Sequence, residues 1–288
     1  MSSQHSLSKR SSQYSTPAFH ALLRYPHERR TLYLTLLAVA GVITLVSMIS
    51  LGAAFLLVAF AVFSASTLVR LNHRQHVGNA LRIGARQFPD LAAQAARAAR
   101  AVRVPPVQVF IYQDDKINAY AFGWSDPQVI ALTSELVEAM DADEFRFVVG
   151  HEMGHIALGH TKLSTLVGGV LGAPSIPFLS NLFVPAFNWW RRCAEYSADR
   201  AGLIACGNLE KAVSAQIKLM VGPRLAKQVD LEQIVAQSQE LSGRLDAMAG
   251  EAGASHPFLV HRVCELARFW NTAACQEIIS EQEVSDAG

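Results

Sequence analysis

The stretch VVGHEMGHIALGH, residues 148–160, sets three histidines and a glutamate in an otherwise apolar run. Burying ionisable side chains costs free energy unless something pairs with them, so this pattern asks for a ligand. His151, Glu152 and His155 form HExxH. On a helix, positions i and i+4 share a face one turn apart, so two imidazoles converge on one point with the glutamate beside them. Neutral imidazole suits zinc, and a catalytic zinc takes three protein ligands while keeping one position for water. The metal lowers the pKa of that water to about 7, and Glu152 is the base placed to take its proton.

HExxH by itself is short, so the third ligand decides. The extended pattern HExxHxxGxxH fails, because Leu158 and Thr161 stand where glycine and histidine would be. His160, nine residues after His151, projects about 180° round a continuing helix and is expected to face away from the metal as a satisfied or exposed side chain. A carboxylate from a later helix remains. RRCAEYSADRAG, residues 191–202, places Glu195 and Asp199 at i and i+4 on one helical face. Glu195 is the expected third ligand. Asp199, one turn on, is placed to accept a hydrogen bond from a ligating histidine's outer nitrogen and fix its tautomer.

These residues need elements to position them. Asp141 precedes Glu144 by three, a capping box that starts the HExxH helix, and Thr133 caps the short helix before it. VQVFIY (107–112), NAYAFG (118–123) and QVIALT (128–133) read as three short strands, giving a small sheet ahead of the helices. Residues 75–103 read as helix, ended by Val104-Pro105-Pro106. Arg97, Arg100 and Arg103 form a basic face there, either a solvated surface or a contact with anionic lipid.

From Thr31 to Val69 there are 39 residues without a charge. A span takes about 20 apolar residues, so this length predicts two crossings with a turn around Ser47–Gly52. It starts too late and runs too long for a cleaved signal peptide. Arginines flank the run on both sides, Arg24, Arg29 and Arg30 before it and Arg70, Arg74, Arg82 and Arg86 after. A hairpin with both ends in the cytoplasm meets the positive-inside rule. A second uncharged run, 163–190, is interrupted by Pro174, Pro177 and Pro185. Because His155 and Glu195 must meet at one ion, this segment cannot be a single crossing; it packs against the protein, dips into the bilayer and returns, or covers the cleft. Trp189 and Trp190 fit either an interfacial anchor or ordinary packing.

Formal net charge is +1, which gives no footprint for nucleic acid. Residues 1–30, with Lys9, Arg10, Arg24, Arg29 and Arg30 against Glu28, and the acidic stretch 276–288 read as solvated tails. Cys193, Cys206, Cys264 and Cys275 lack CxxC spacing and read as reduced thiols in a reducing compartment.

Together, NAYAFG, the run from VIALTSEL through HEMGHIALGH, and EYSADRAG resemble the membrane-associated gluzincins of peptidase family M48, HtpX-like proteases in particular. The resemblance spans about Val107 to Arg262 and extends to the apolar N-terminal region. It implies a zinc endopeptidase that degrades damaged or misassembled membrane proteins, with His151, His155 and Glu195 as metal ligands and Glu152 as general base. It further implies that Asn118, Ala119, Tyr120 and Ala121 form an edge strand that pairs with extended substrate. His256 and Arg262, in SHPFLVHR, would stabilise the tetrahedral oxyanion. HtpX-like chains usually carry enough apolar sequence between the motifs for two more crossings, and this chain has only the proline-broken run.

The expected architecture is mainly α with a small β-sheet, a zincin-like catalytic domain behind an N-terminal two-helix transmembrane hairpin. Its expected divisions are a disordered basic tail (1–30), two transmembrane helices (31–69), a juxtamembrane helix (70–103), a zinc metallopeptidase domain (104–275, with 163–190 as an apolar insert) and an acidic tail (276–288). The expected activity is that of a membrane-anchored zinc metalloendopeptidase holding one zinc ion, facing the cytoplasm from the inner membrane, with polypeptide substrates and the bilayer as partners. The rivals are an exopeptidase, a zinc-stabilised scaffold without activity, and a processing protease for lipidated chains. Oligomeric state is open.

Overall fold

A computed structural model describes residues 15–50, 52, 56, 59, 60, 78–105, 107–123, 128–164, 177–242 and 256–286. Within them the chain is mostly helical, with one small mixed sheet. In chain order the elements are α1 (Thr16–Leu23), α2 (Glu28–Ile49), β1 (Leu81–Arg82), α3 (Pro89–Val102), β2 (Gln108–Tyr112), β3 (Ala119–Phe122) and β4 (Val129–Thr133). There follow α4 (Ser134–Ala139), α5 (Ala142–Ala157), α6 (Pro177–Cys206), α7 (Leu209–Ala226), α8 (Leu231–Leu241), α9 (Leu259–Trp270) and α10 (Ala273–Asp286).

The sheet order is β1-β2-β4-β3. β2 and β4 run parallel, with Phe110 opposite Ala131, and β3 lies antiparallel to β4, with Tyr120 opposite Ala131. Every residue of β4 is buried, as a central strand covered on both faces should be. β3 is an outer strand. The structure adds β1 to the three strands expected from sequence: Leu81 and Arg82 pair with Ile111 and Phe110 where a juxtamembrane helix was anticipated, and the helix itself starts only at Pro89.

The local signals at the head of the HExxH helix operate as read. Thr133 Oγ1 accepts from Leu136 N at 3.2 Å. Asp141 Oδ1 accepts from Asp143 N and Glu144 N, both at 3.0 Å, while Glu144 Oε2 accepts from Asp141 N at 2.8 Å. Glu144 is buried, and Lys218 Nζ (2.6 Å) and Ser214 Oγ (2.7 Å) of α7 complete its shell. A lone buried carboxylate would be costly; this one ties α5 to α7.

α5 and α6 meet along a seam almost free of side chains. A Cβ on Gly150 would lie 2.3 Å from the Ala205 Cβ, one on Gly154 2.6 Å from the Ala201 Cβ, and one on Gly202 2.8 Å from the Phe147 carbonyl oxygen. The backbones can approach this closely only because those positions carry nothing or a methyl. The result is that Glu195 and Asp199 of α6 arrive beside the histidines of α5.

The N-terminal region departs from the solvated tail expected of it. Residues 15–30 form α1 and the head of α2, and Phe19 and Leu23 are fully buried. The Arg103 guanidinium sits over the Phe19 ring, 4.1 Å from its centroid, so one arginine of the anticipated basic face serves packing. Residues 1–14 lie outside the described residues. At the other end, Ala273–Asp286 is helical, with Ile278 and Ile279 buried where an acidic tail was expected.

α2 has 22 residues, about 33 Å at 1.5 Å per residue, enough for a hydrocarbon core of about 30 Å. It is long and apolar enough to cross a membrane, and its side chains are mostly exposed. It ends at Ile49, with Ser50 N donating to Val46 O and Gly52 at φ +88, inside the turn expected from sequence. Most of the expected second crossing falls outside the described residues, as do residues 165–176 of the second apolar run. From Pro177 onward that run belongs to α6, where Phe187, Trp190 and Ala194 pack with Leu32, Val39, Val42 and Ile43 of α2. Trp190 is therefore a packing residue, while Trp189 is half exposed.

Candidate metal centre

His151 and His155 leave α5 on one face, and Glu195 meets them from α6. Nε2 of His151 and Nε2 of His155 are 3.2 Å apart; Glu195 Oε2 is 3.6 Å from the first and Glu195 Oε1 3.4 Å from the second. A tetrahedral ion with metal–nitrogen bonds of about 2.0–2.1 Å separates neighbouring ligand atoms by roughly 3.3–3.4 Å. The triangle has that size, so the residues fit such an ion.

The outer hydrogen bonds settle which nitrogen is free. Asp199 Oδ1 lies 3.0 Å from His151 Nδ1. A carboxylate only accepts, so the proton of the neutral ring is on Nδ1 and the Nε2 lone pair faces the triangle. Arg262 fixes Asp199 in turn, donating from Nε at 2.8 Å and Nη2 at 2.6 Å. Burial alone would raise the Asp199 carboxyl, but the Arg262 charge and hydrogen bonds hold it below the usual carboxylate range.

His155 is held by a longer path. Its Nδ1 is 3.1 Å from His160 Nδ1, and His160 Nε2 is 3.0 Å from Glu28 Oε1. Glu28 must accept from His160 Nε2–H, which leaves His160 Nδ1 to accept from His155 Nδ1–H. Burial pushes His160 down to about 4, so the ring is neutral. Sequence reasoning expected His160 on the far side of the helix. The helix instead ends at Ala157, and Gly159, with φ +79, turns the chain back over the last turn. His160 is indeed satisfied, but by a metal-ligand candidate. The left-handed turn at a glycine was the available signal; nothing local announced Glu28.

Glu195 is buried, and desolvation alone would raise its pKa. Hydrogen bonds from His155 and His256 and the charge of Arg262 instead hold it well below the usual range, ready as an anionic ligand. His256 Nδ1 is 3.2 Å from Glu195 Oε2 with its ring exposed, and Arg262 Nη2 is 3.5 Å from the same oxygen. Both residues expected to face an oxyanion thus touch the Glu195 carboxylate, and Arg262 also gives two donors to Asp199.

The triangle opens into a cleft of about 600 Å³ lined by Glu152, His256 and Arg262, by residues 117–121 of β3 and its approach, and by Leu219 and Met220 of α7. Tyr120 packs edge-on to Tyr112, and Asn118 is exposed. Gln216 also lines the cleft, buried, its side-chain amide without a hydrogen-bond partner among the described residues; it was not singled out from sequence.

Comparison with known proteins agrees with this arrangement. Residues 85–269 match the model of peptidase family M48. The chain is 25% identical over 207 residues to the plastoglobule-localized metallopeptidase 48 of Arabidopsis thaliana, covering 67% of this chain and 60% of that one. It is 30% identical over 181 residues to a protease HtpX homolog of Leuconostoc citreum (57% of each chain) and 28% identical over 205 residues to protease HtpX of Acinetobacter baumannii (57% of this chain, 65% of that one). The chain thus spans about 60% of the length of these curated relatives. No solved structure matches. With the family model covering well over half of the sequence, and HExxH and its partner glutamate inside the matched region, the chain belongs to peptidase family M48.

Proposed function

We propose that this protein is a membrane-anchored zinc metalloendopeptidase. The observation that carries the reading is the triangle of His151, His155 and Glu195, with both imidazole Nε2 atoms freed toward its centre by the hydrogen bonds at Nδ1. A bound zinc ion supplies Lewis acidity, acidifying water and polarising a carbonyl oxygen. Glu152, buried at the cleft wall one residue from His151, takes the proton of the attacking water on its carboxylate and delivers it to the leaving amine. His256 and Arg262 line the cleft beside Glu195, where they can stabilise the charge that develops on the carbonyl oxygen.

β3 supports an endopeptidase over an exopeptidase. It is an outer strand that borders the cleft through residues 118–121, so an extended chain can add to it by backbone hydrogen bonds and continue past both ends. The apolar α2 supports anchoring in a membrane and access to substrates there; with arginines at its N-terminal flank it is consistent with a cytoplasmic catalytic face, and we further propose a quality-control role at the inner membrane. The test is Glu152→Gln in the full chain. Zinc content should remain at wild-type level while cleavage of an end-blocked peptide and of a model membrane protein falls by at least a hundredfold. Retained cleavage removes Glu152 from the mechanism; a wild-type chain that holds zinc and cuts nothing favours the scaffold.

A further inference from the structure

Two chains of contacts run outward from the candidate ligands, and each closes on a carboxylate paired with a guanidinium. From His151 the path is imidazole, Asp199 carboxylate, Arg262 guanidinium. From His155 it is imidazole, His160 imidazole, Glu28 carboxylate, Arg24 guanidinium. The second passes through Glu28, in the first turn of the apolar helix α2, and ends on Arg24 just before that helix.

Glu28 is 1% exposed, and both its oxygens are occupied. Oε1 takes His160 and Arg24, and Oε2 takes the Ser197 hydroxyl. A carboxylate in the first turn of a helix is favourable for the helix dipole wherever it points. That preference does not require burial against a histidine of another element, and an ionised group put there stays only if it is fully paired. The chain around it is fixed at several points. Arg24 Nη2 donates to Leu158 O at 2.7 Å, at the end of the HExxH helix, and Tyr25 N donates to Ser197 Oγ at 2.7 Å. Arg200 Nη1 donates to Arg24 O at 3.0 Å. Residues 24–28 are therefore built into the wall behind His155.

We propose that Glu28 is a positioning residue for His155: acting through His160, it fixes the tautomer and orientation of the ligand ring, and so makes the head of the membrane helix part of the metal centre. The inference rests on His151, His155 and Glu195 holding a metal. Without the Glu28 carboxylate, His160 can place its proton on either nitrogen. With a proton on Nδ1, His160 confronts His155 Nδ1–H with a second donor, and the ligand ring must turn or change tautomer.

The test uses the full chain in detergent. Wild type, Glu28→Ala, Glu28→Gln, His160→Ala and Val39→Ala are compared by zinc affinity against a competing chelator, by the visible spectrum of the Co²⁺ form, and by thermal melting. Losing an outer partner of a ligating histidine typically costs 10–100-fold in metal affinity. Glu28→Ala and His160→Ala should each weaken zinc by about tenfold or more and shift the Co²⁺ bands, the double variant should lose little beyond either single one, and Glu28→Gln, whose amide oxygen can still accept from His160, should lose less. Val39→Ala, which thins the packing of α2 on α6 well beyond Glu28, should lower the melting point at unchanged affinity and spectrum. Wild-type affinity and spectrum in Glu28→Ala, or in His160→Ala should Glu28→Ala fail to fold, overturn the proposal and leave Glu28 an anchor of the helix. A wild type without stoichiometric zinc overturns the metal-centre reading along with it.

Discussion

Asp199 Oδ1 accepts from His151 at 3.0 Å and from Arg262 Nη2 at 2.6 Å, so a single carboxylate oxygen joins a candidate metal ligand to a buried arginine. Asp199→Ala removes the acceptor that keeps the His151 proton on Nδ1 and leaves Arg262 facing Glu195 alone. Zinc affinity should fall 10–100-fold, measured by chelator competition. Asp199→Asn, which can still accept through its amide oxygen, should lose less.

The seam between α5 and α6 allows a second prediction. Gly154→Ala puts a methyl 2.6 Å from the Ala201 Cβ, and the helices must separate. Overpacking of this kind typically costs about 1–3 kcal/mol, and the edges between Glu195 and the two histidines should lengthen with it. Thermal melting and zinc affinity should fall together, and Ala201→Gly in the same chain should restore both.

Acid should act on the capping box. Burial alone would raise Asp141, but the backbone N–H of Glu144 and the Lys211 ammonium overcome it and hold the carboxyl below its ordinary 3.8. A group depressed in the folded state contributes stability that is complete above 3.8 and is lost as pH falls through the folded value. Asp141→Asn keeps the cap without the charge. Its melting point, taken in metal-free protein, should lie below wild type at pH 7, and the gap should close as the pH drops beneath that range. Asp141→Ala should cost about 1 kcal/mol at pH 7 as well.

Removing the metal should not unfold the chain. Arg262 and His256 still neutralise Glu195, and the core of α3, α5, α6, α7 and α9 does not involve the ion. Chelation should abolish cleavage and leave the far-ultraviolet circular dichroism intact. Stability should fall by the amount that ligand linkage sets, about 2.7 kcal/mol where free zinc had stood about a hundredfold above its Kd, and the melting point should fall with it.

What could be read in the sequence were the features fixed by helical spacing. HExxH, the Glu195/Asp199 pair, the Asp141 capping box and the Thr133 cap each depend on residues within four of one another. The strands were readable for the same reason, but β1, only two residues long and exposed, carried no pattern. His160 was misplaced because a nine-residue projection presumes a continuing helix, and this one stops at Ala157. Glu28 and Arg24 were counted among solvated charges because no local rule tells a charge that meets water from one that meets a residue 132 positions away. Gln216 was invisible on the same ground.

The segment before α2 has a practical consequence. Phe19 and Leu23 fill the interior, Tyr25 and Glu28 are bonded to Ser197 of α6, and Glu28 is bonded to His160 just past α5. Trimming such a protein to a water-soluble piece by deleting everything through the apolar helix would remove interior packing together with the candidate span. A biochemist wanting a tractable enzyme should keep residues 15–28 and graft them past the excised span, because solubility gained by plain truncation would come from a different molecule.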